Sequence, residues 1–146
     1  NTSARNLGRI WHRLTPQGFK MMVRVLSIED APAREKMILE VCTQMPQDPE
    51  ALLESWISIA RDRPVKREVA LLQILAAIRY RAPSTLKMPV LILGGESDAL
   101  VRVHCSKALA RRLGAPIRLH SNAGHDLGAD APQWVADQVR AWVQEG

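Results

Sequence analysis

Two loops of the sequence carry side chains that could transfer a proton together. Asp98 ends the segment 94–98, and His125 lies within the segment 121–127. A carboxylate that accepts a hydrogen bond from a histidine fixes the ring tautomer and stabilises the imidazolium formed when the ring takes up a proton. Taken singly, each residue has an ordinary explanation, as a turn-forming aspartate or a loop histidine. The pair becomes a candidate for acid–base chemistry only if the fold brings the loops together.

The elements around these loops are predicted to form a strand–helix–strand–helix unit. The unbroken apolar run 89–93 is typical of a buried parallel strand. A helix is predicted over 103–113, with Gly114 as its stop, followed by an alternating strand over 116–120 and a last helix with Asp130 as its N-cap. Two strands joined by one helix form a right-handed parallel pair, so both loops leave the same edge of the sheet.

The chain before this unit, up to residue 81, is predicted to be a run of helices. Apolar residues at helical spacing indicate a first helix over 7–14. Threonine or aspartate marks the start of each of the next three helices, at Thr15, Asp30 and Asp48. The fifth helix, over 65–80, is apolar almost all round its middle and is expected to be the most buried.

Length, composition and charge exclude several classes of protein. The chain has 146 residues, 47% of them hydrophobic and 24% charged, which are values for one globular domain. No apolar run approaches the roughly 18 residues of a membrane span. The net charge of +5 lies in residues 1–88. Because no recognition motif accompanies it, a solvated basic helix face is preferred to nucleic-acid binding.

The remaining reactive residues are weaker candidates. Two cysteines are too few for a disulfide scaffold, which favours a reducing, cytoplasmic location. Cys105 neighbours His104, but adjacent helical side chains point about 100° apart, so a small buried thiol is preferred. Ser97 stands in a G-x-S-x-A sequence that no helix follows at once. Asp126 competes with Asp98 for the role of the acid, but a neighbour in sequence rarely reaches the far nitrogen of a histidine ring. The four histidines lack metal-ligand spacing, and no phosphate loop occurs, so we predict neither metal nor cofactor.

Two segments resemble the α/β-hydrolase family. Residues 89–101, PVLILGGESDALV, resemble the strand and loop that carry the catalytic acid of that family. Residues 123–127, AGHDL, and the helix that ends in AWV resemble its histidine loop and last helix. The resemblance implies that Asp98 is the triad acid and His125 the general base, and it implies no cofactor.

The same resemblance divides the chain. Residues 4–81, here called the helical segment, are similar to the cap or lid that many members insert ahead of the acid strand. Residues 1–3 resemble the end of the core strand that precedes such a cap. Residues 82–146, here called the C-terminal segment, resemble the last part of the core. Large apolar side chains of the helical segment are expected to line a substrate pocket: Trp11, Phe19, Met21, Met22 and Trp56.

The sequence departs from the family in lacking the nucleophile. The family places it on a G-x-S-x-G elbow ahead of the acid, and neither this motif nor the first five strands are present. The chain also begins with Asn1 instead of methionine. We therefore expect the C-terminal half of a serine-type α/β-hydrolase that acts on an ester or related acyl bond of a small molecule. Its partner would be the missing N-terminal half of the core.

Two further expectations follow from the missing half. The chain alone is expected to be inactive, and its open strand edge makes self-association possible. The alternative function is a non-catalytic binding or interaction domain on a hydrolase scaffold.

Overall fold

In the computed structural model, which describes residues 2–145, a run of helices precedes a parallel pair of strands. The helical segment contains a 3₁₀ turn (Arg5–Leu7), α1 (Ile10–Arg13), α2 (Pro16–Arg24), α3 (Ala31–Cys42), α4 (Pro49–Asp62) and α5 (Arg67–Arg79). The C-terminal segment contains β1 (Ile92–Gly95), α6 (His104–Leu113), β2 (Ile117–His120), α7 (Leu127–Asp130) and α8 (Pro132–Glu145). The predicted α/β class and the strand–helix–strand–helix order are confirmed.

The predicted starts of three helices are also confirmed. The side chains of Thr15, Asp30 and Asp48 each accept a hydrogen bond from the backbone N–H three residues ahead, at 2.9, 2.9 and 3.0 Å. Each of these helices has a proline in its first turn, where no N–H partner is needed. These caps are local interactions, and for that reason the sequence alone locates them.

The prediction of a single helix over 7–14 is wrong, because a 3₁₀ turn and a separate short helix occupy this stretch. The 3₁₀ turn ends at Gly8, whose φ of 149° is a backbone conformation that favours glycine, and α1 is a single short helix. Leu14 then leaves the helix and forms an isolated antiparallel bridge with Val101. Pairing with the C-terminal segment thus overrides the helical spacing of the apolar residues.

The expectation that the fifth helix is the most buried is wrong as well. No residue of α5 is fully buried, and Leu72 is 64% exposed. One side of α5, with Ala70, Ile74 and Ala77, lines a cavity. Val69, Leu71 and Leu72 are exposed. A helix that is apolar almost all round needs neighbours on every side, and the described part of the chain does not cover this side of α5.

The sheet places the two loops of interest at one edge. β1 pairs in parallel with β2, from Ile92 opposite Ile117 to Gly95 opposite His120. The backbone of Gly95 approaches the next loop so closely that a Cβ atom there would lie 2.2 Å from the carbonyl oxygen of Ala123. The glycine therefore allows the loop after β1 to pack directly against the loop after β2.

The helical segment holds both loops through its backbone. Thr15 N–H donates to the carbonyl of Leu100 at 3.1 Å, just after Asp98. Asp126 N–H donates to the carbonyl of Cys42, at the end of α3, at 2.8 Å. The division of the chain at residues 81 and 82 stays a prediction. Asn1, part of the predicted strand end 1–3, lies outside the described residues, and Thr2 and Ser3 belong to neither strand.

Candidate active site

The carboxylate of Asp98 is fixed by the turn that follows β1. Its Oδ1 atom accepts hydrogen bonds from the backbone N–H groups of Leu100 and Val101, both at 2.8 Å. Its side chain is 1% exposed. The two donors on Oδ1 fix the rotation of the carboxylate, so that Oδ2 points away from them.

That second oxygen meets His125. The distance from Asp98 Oδ2 to His125 Nδ1 is 2.9 Å, so the contact expected between the two loops is present. A carboxylate can only accept, which assigns the hydrogen of this bond to Nδ1. The histidine side chain is 29% exposed, whereas the carboxylate is shielded. The imidazole is therefore the more exposed member of the pair, and the buried Asp98 carboxylate determines its tautomer.

A cavity of about 1160 Å³ borders His125. Its walls come mainly from the helical segment and include Met21, Met22 and Trp56, as expected. The same expectation is wrong for Trp11 and Phe19, which are 59% and 58% exposed and lie outside the lining. The Asp98–His125 pair thus lies at the edge of a mostly apolar cavity, which is a common setting for a small-molecule site.

The competing nucleophiles are placed unfavourably. Ser97 donates its hydroxyl hydrogen to the carbonyl of Ser121 at 3.0 Å. Burial raises the pKa of the Cys105 thiol, whose sulfur lies 3.7 Å from His104 Nε2. Burial, assisted by the nearby Asp98 and Asp126 carboxylates, raises the pKa of the Cys42 thiol to about 11. Thiols with raised pKa values are poor nucleophiles at neutral pH.

Asp126 serves as a helix cap. Its side chain accepts a hydrogen bond from the N–H of Ala129 at 3.3 Å and so caps α7, a short helix that the sequence analysis did not predict. Its backbone is held by the end of α3. Asp98, in contrast, contacts the ring through Oδ2.

Asp130 is a residue of the site region whose role the sequence analysis missed. Its prediction as the N-cap of the last helix is wrong, because it is the final residue of α7 and only 2% exposed. Its carboxylate accepts from the backbone N–H groups of Gln44, Met45 and Gly124. No local signal could have revealed this, since two of the donors are backbone groups about 85 residues away.

The described residues give no sign of a metal centre or a membrane span. Between residues 2 and 145, no group of three or more His, Cys, Asp or Glu side chains could hold a metal ion. In that same range no helix has the length and apolar character to cross a bilayer.

Solved structures with similar folds are esterases and related hydrolases. An esterase from Exiguobacterium antarcticum matches with a TM-score of 0.69 and 14% identity, over 88% of this chain and 47% of its own. The 2-hydroxy-6-oxo-6-phenylhexa-2,4-dienoate hydrolase of a Rhodococcus strain matches with a TM-score of 0.68 and 17% identity, over 90% and 50% of the two chains. A carboxylesterase from Bacillus subtilis matches with a TM-score of 0.62 and 18% identity, over 91% and 47%. The fold is that of the α/β-hydrolases.

The present chain spans about half the length of these α/β-hydrolases. Neither a protein-family model nor a curated protein matches the sequence. At such low identity the likeness establishes the α/β-hydrolase fold alone, and the chemistry has to be argued from the residues of the site.

Proposed function

We propose that this chain is the C-terminal half of a serine-type α/β-hydrolase that acts on esters or related acyl bonds. In this proposal Asp98 is the acid of the catalytic triad and His125 is its general base. The observation that carries the proposal is the 2.9 Å contact between Asp98 Oδ2 and His125 Nδ1 at the edge of an apolar cavity. The esterases among the similar structures support an ester as the substrate.

The proposed reaction uses the second ring nitrogen of His125. As the hydroxyl of a serine outside this chain attacks the substrate carbonyl, its proton passes to His125 Nε2. The imidazolium so formed is stabilised by Asp98 across the Nδ1 hydrogen bond. His125 then gives the proton to the departing alcohol, and an acyl-enzyme remains. Water attacks this acyl-enzyme while His125 takes up its proton, and His125 then returns the proton to the serine oxygen as the carboxylic acid is released.

The helical segment is proposed to act as the cap over this chemistry. It contributes most of the cavity wall beside His125, and it holds the loops of both candidate residues through the Thr15–Leu100 and Cys42–Asp126 backbone bonds. A small molecule with an apolar acyl group fits a wall of this character. No organic cofactor or metal takes part in the proposed mechanism, and we place the protein in the cytoplasm on the strength of its two unpaired thiols.

The proposed partner of the chain is the N-terminal half of the same hydrolase core. Within the described residues each strand pairs along one edge only, although β1 is largely buried. Further strands beside this pair would complete a sheet and would carry the nucleophile. The exposed apolar residues of α5, among them Leu71 and Leu72, provide additional surface that such a half could cover.

The proposal is tested on the complete polypeptide that contains this chain. Its upstream sequence should hold a strand, a G-x-S-x-G motif and a helix, and the purified protein should hydrolyse p-nitrophenyl butyrate. Substitution His125→Ala should abolish this turnover. The chain 1–146 alone should show no turnover above its own His125→Ala variant, and it should self-associate at micromolar concentration. A monomeric chain with turnover that depends on His125 would overturn the assignment of an external nucleophile.

The alternative is a binding or interaction domain that has the hydrolase scaffold without its activity. An upstream sequence without a G-x-S-x-G motif, combined with a complete protein that hydrolyses no aryl ester, would favour this alternative. The Asp98–His125 contact argues for the enzyme, because a binding domain does not require a histidine with a fixed tautomer beside its cavity.

A further inference from the structure

A buried carboxylate joins the helical segment to the loop that carries His125. Asp130 Oδ2 accepts a hydrogen bond from Gly124 N–H at 2.6 Å, immediately before His125. Its Oδ1 atom accepts from the N–H groups of Gln44 and Met45 at 2.9 and 3.0 Å. These two residues follow the end of α3. The carboxylate is thus shared between two segments that are distant in sequence.

Backbone N–H groups stabilise the buried carboxylate of Asp130. Asp130 is 2% exposed, and within residues 2–145 no lysine, arginine or histidine forms an ion pair with it. Its charge is held by backbone N–H groups, which are directional and have little freedom to move. A buried carboxylate satisfied in this way acts as a geometric clamp on the chain segments that donate to it.

Gly124 is packed tightly into the same clamp. A Cβ atom at this position would lie 2.9 Å from Cγ of Gln44, 3.0 Å from the carbonyl oxygen of Cys42 and 3.1 Å from Oδ2 of Asp130. The loop before His125 therefore lies directly against the end of α3. A shift of Asp130 or of Gln44 would move the backbone from which the His125 side chain projects.

We propose that Asp130 is a positioning residue that holds the His125 loop at the end of α3 and thereby keeps the imidazole within reach of Asp98. This inference rests on the proposed function and adds a residue to it. Displacement of a catalytic group by about 1 Å costs on the order of 100-fold in rate. Asp130 is therefore expected to affect catalysis without touching substrate.

The test is made on the complete enzyme with Asp130→Asn. The amide keeps the size of the side chain but replaces one acceptor by an N–H donor, which then faces the backbone donors. We expect kcat for p-nitrophenyl butyrate to fall about 10- to 100-fold, with KM within about threefold because most of the cavity wall lies away from the clamp. The low-field proton resonance of the His125 Nδ1–H group should broaden or disappear.

The matched control is Asp48→Ala. Asp48 is exposed and accepts a backbone hydrogen bond within its own helix start, from Ala51. Its loss weakens a helix cap, yet kcat should stay within about twofold and the Nδ1–H resonance should remain. An Asp130→Asn enzyme with normal kcat would overturn the inference. A fall in kcat with an unchanged His125 resonance would overturn it too.

A second variant covers the case in which Asp130→Asn does not fold. Gly124→Ala keeps the aspartate at position 130, but its Cβ atom presses on the side chain of Gln44, on the carbonyl oxygen of Cys42 and on Oδ2 of Asp130 itself. We expect kcat to fall about tenfold; a normal kcat in this folded variant would refute the positioning role. The rates of His125→Ala and Asp98→Asn show whether the proposed function itself has failed. Normal rates in those two variants would contradict the triad, whereas low rates there with a normal rate in Gly124→Ala would contradict only the positioning role.

Discussion

Replacement of Asp98 by asparagine reverses the hydrogen bond to His125. Oδ1 of Asp98 already accepts from the N–H groups of Leu100 and Val101 at 2.8 Å each. In Asp98→Asn the amide oxygen has to stay there, because the reverse orientation would leave two donors unsatisfied at about 1–3 kcal/mol each. The amide nitrogen then donates to His125 Nδ1 and forces the ring hydrogen to Nε2. In that tautomer the ring cannot accept a proton from the nucleophile.

The expected loss of rate is large and the expected loss of stability small. In a serine protease the same substitution lowers turnover by about 10⁴, which corresponds to about 5 kcal/mol of transition-state stabilisation. The two backbone hydrogen bonds to Oδ1 persist but lose their charge-assisted strength, so the free energy of unfolding should decrease by only about 1 kcal/mol. KM should change little, because the Asp98 side chain is 1% exposed and does not belong to the cavity lining.

The assay is hydrolysis of p-nitrophenyl butyrate by the complete enzyme, with the unfolding temperature measured in parallel. Asp126→Asn is the matched control: it makes the same chemical change beside His125, at a residue that caps α7. Asparagine caps a helix about as well as aspartate, so this control should keep its rate within about threefold. An Asp98→Asn enzyme whose rate falls less than about tenfold would refute the reasoning, as would equal losses in the two variants.

Three further predictions concern the nucleophile, the cavity and the thiols. Ser97→Ala should leave kcat within about twofold, because its hydroxyl donates to the carbonyl of Ser121; loss of turnover in the ester assay would make Ser97 the nucleophile. Trp56→Ala should enlarge the cavity and shift preference towards longer acyl chains in a p-nitrophenyl ester series, by up to about fourfold per added methylene; an unchanged preference would contradict the cap assignment. At pH 8, Cys42 should be alkylated at least about 100-fold more slowly in the folded protein than in urea, because its pKa is raised from 9.0 to about 11 and little thiolate is present. Mass spectrometry should show this rate rising as the pH approaches 11, and fast alkylation at pH 8 would exclude the buried placement of Cys42.

Features that depend on neighbours along the chain were predictable from the sequence alone. The N-caps at Thr15, Asp30 and Asp48 need only a side-chain acceptor and an N–H three residues ahead. The meeting of Asp98 and His125 was also predictable, because a strand–helix–strand unit has one favoured hand and directs both following loops to one edge. Their catalytic role remains a proposal.

Features that depend on residues distant in sequence became visible only in the fold. The helical spacing of residues 7–14 gave way to the bridge between Leu14 and Val101, and the apolar α5 lies partly exposed because no described part of the chain covers it. The local pattern predicts a helix cap at Asp130, whereas the donors to its carboxylate include the backbone N–H groups of Gln44 and Met45. Backbone N–H groups belong to almost every residue type, so no sequence pattern marks which of them a buried carboxylate will meet.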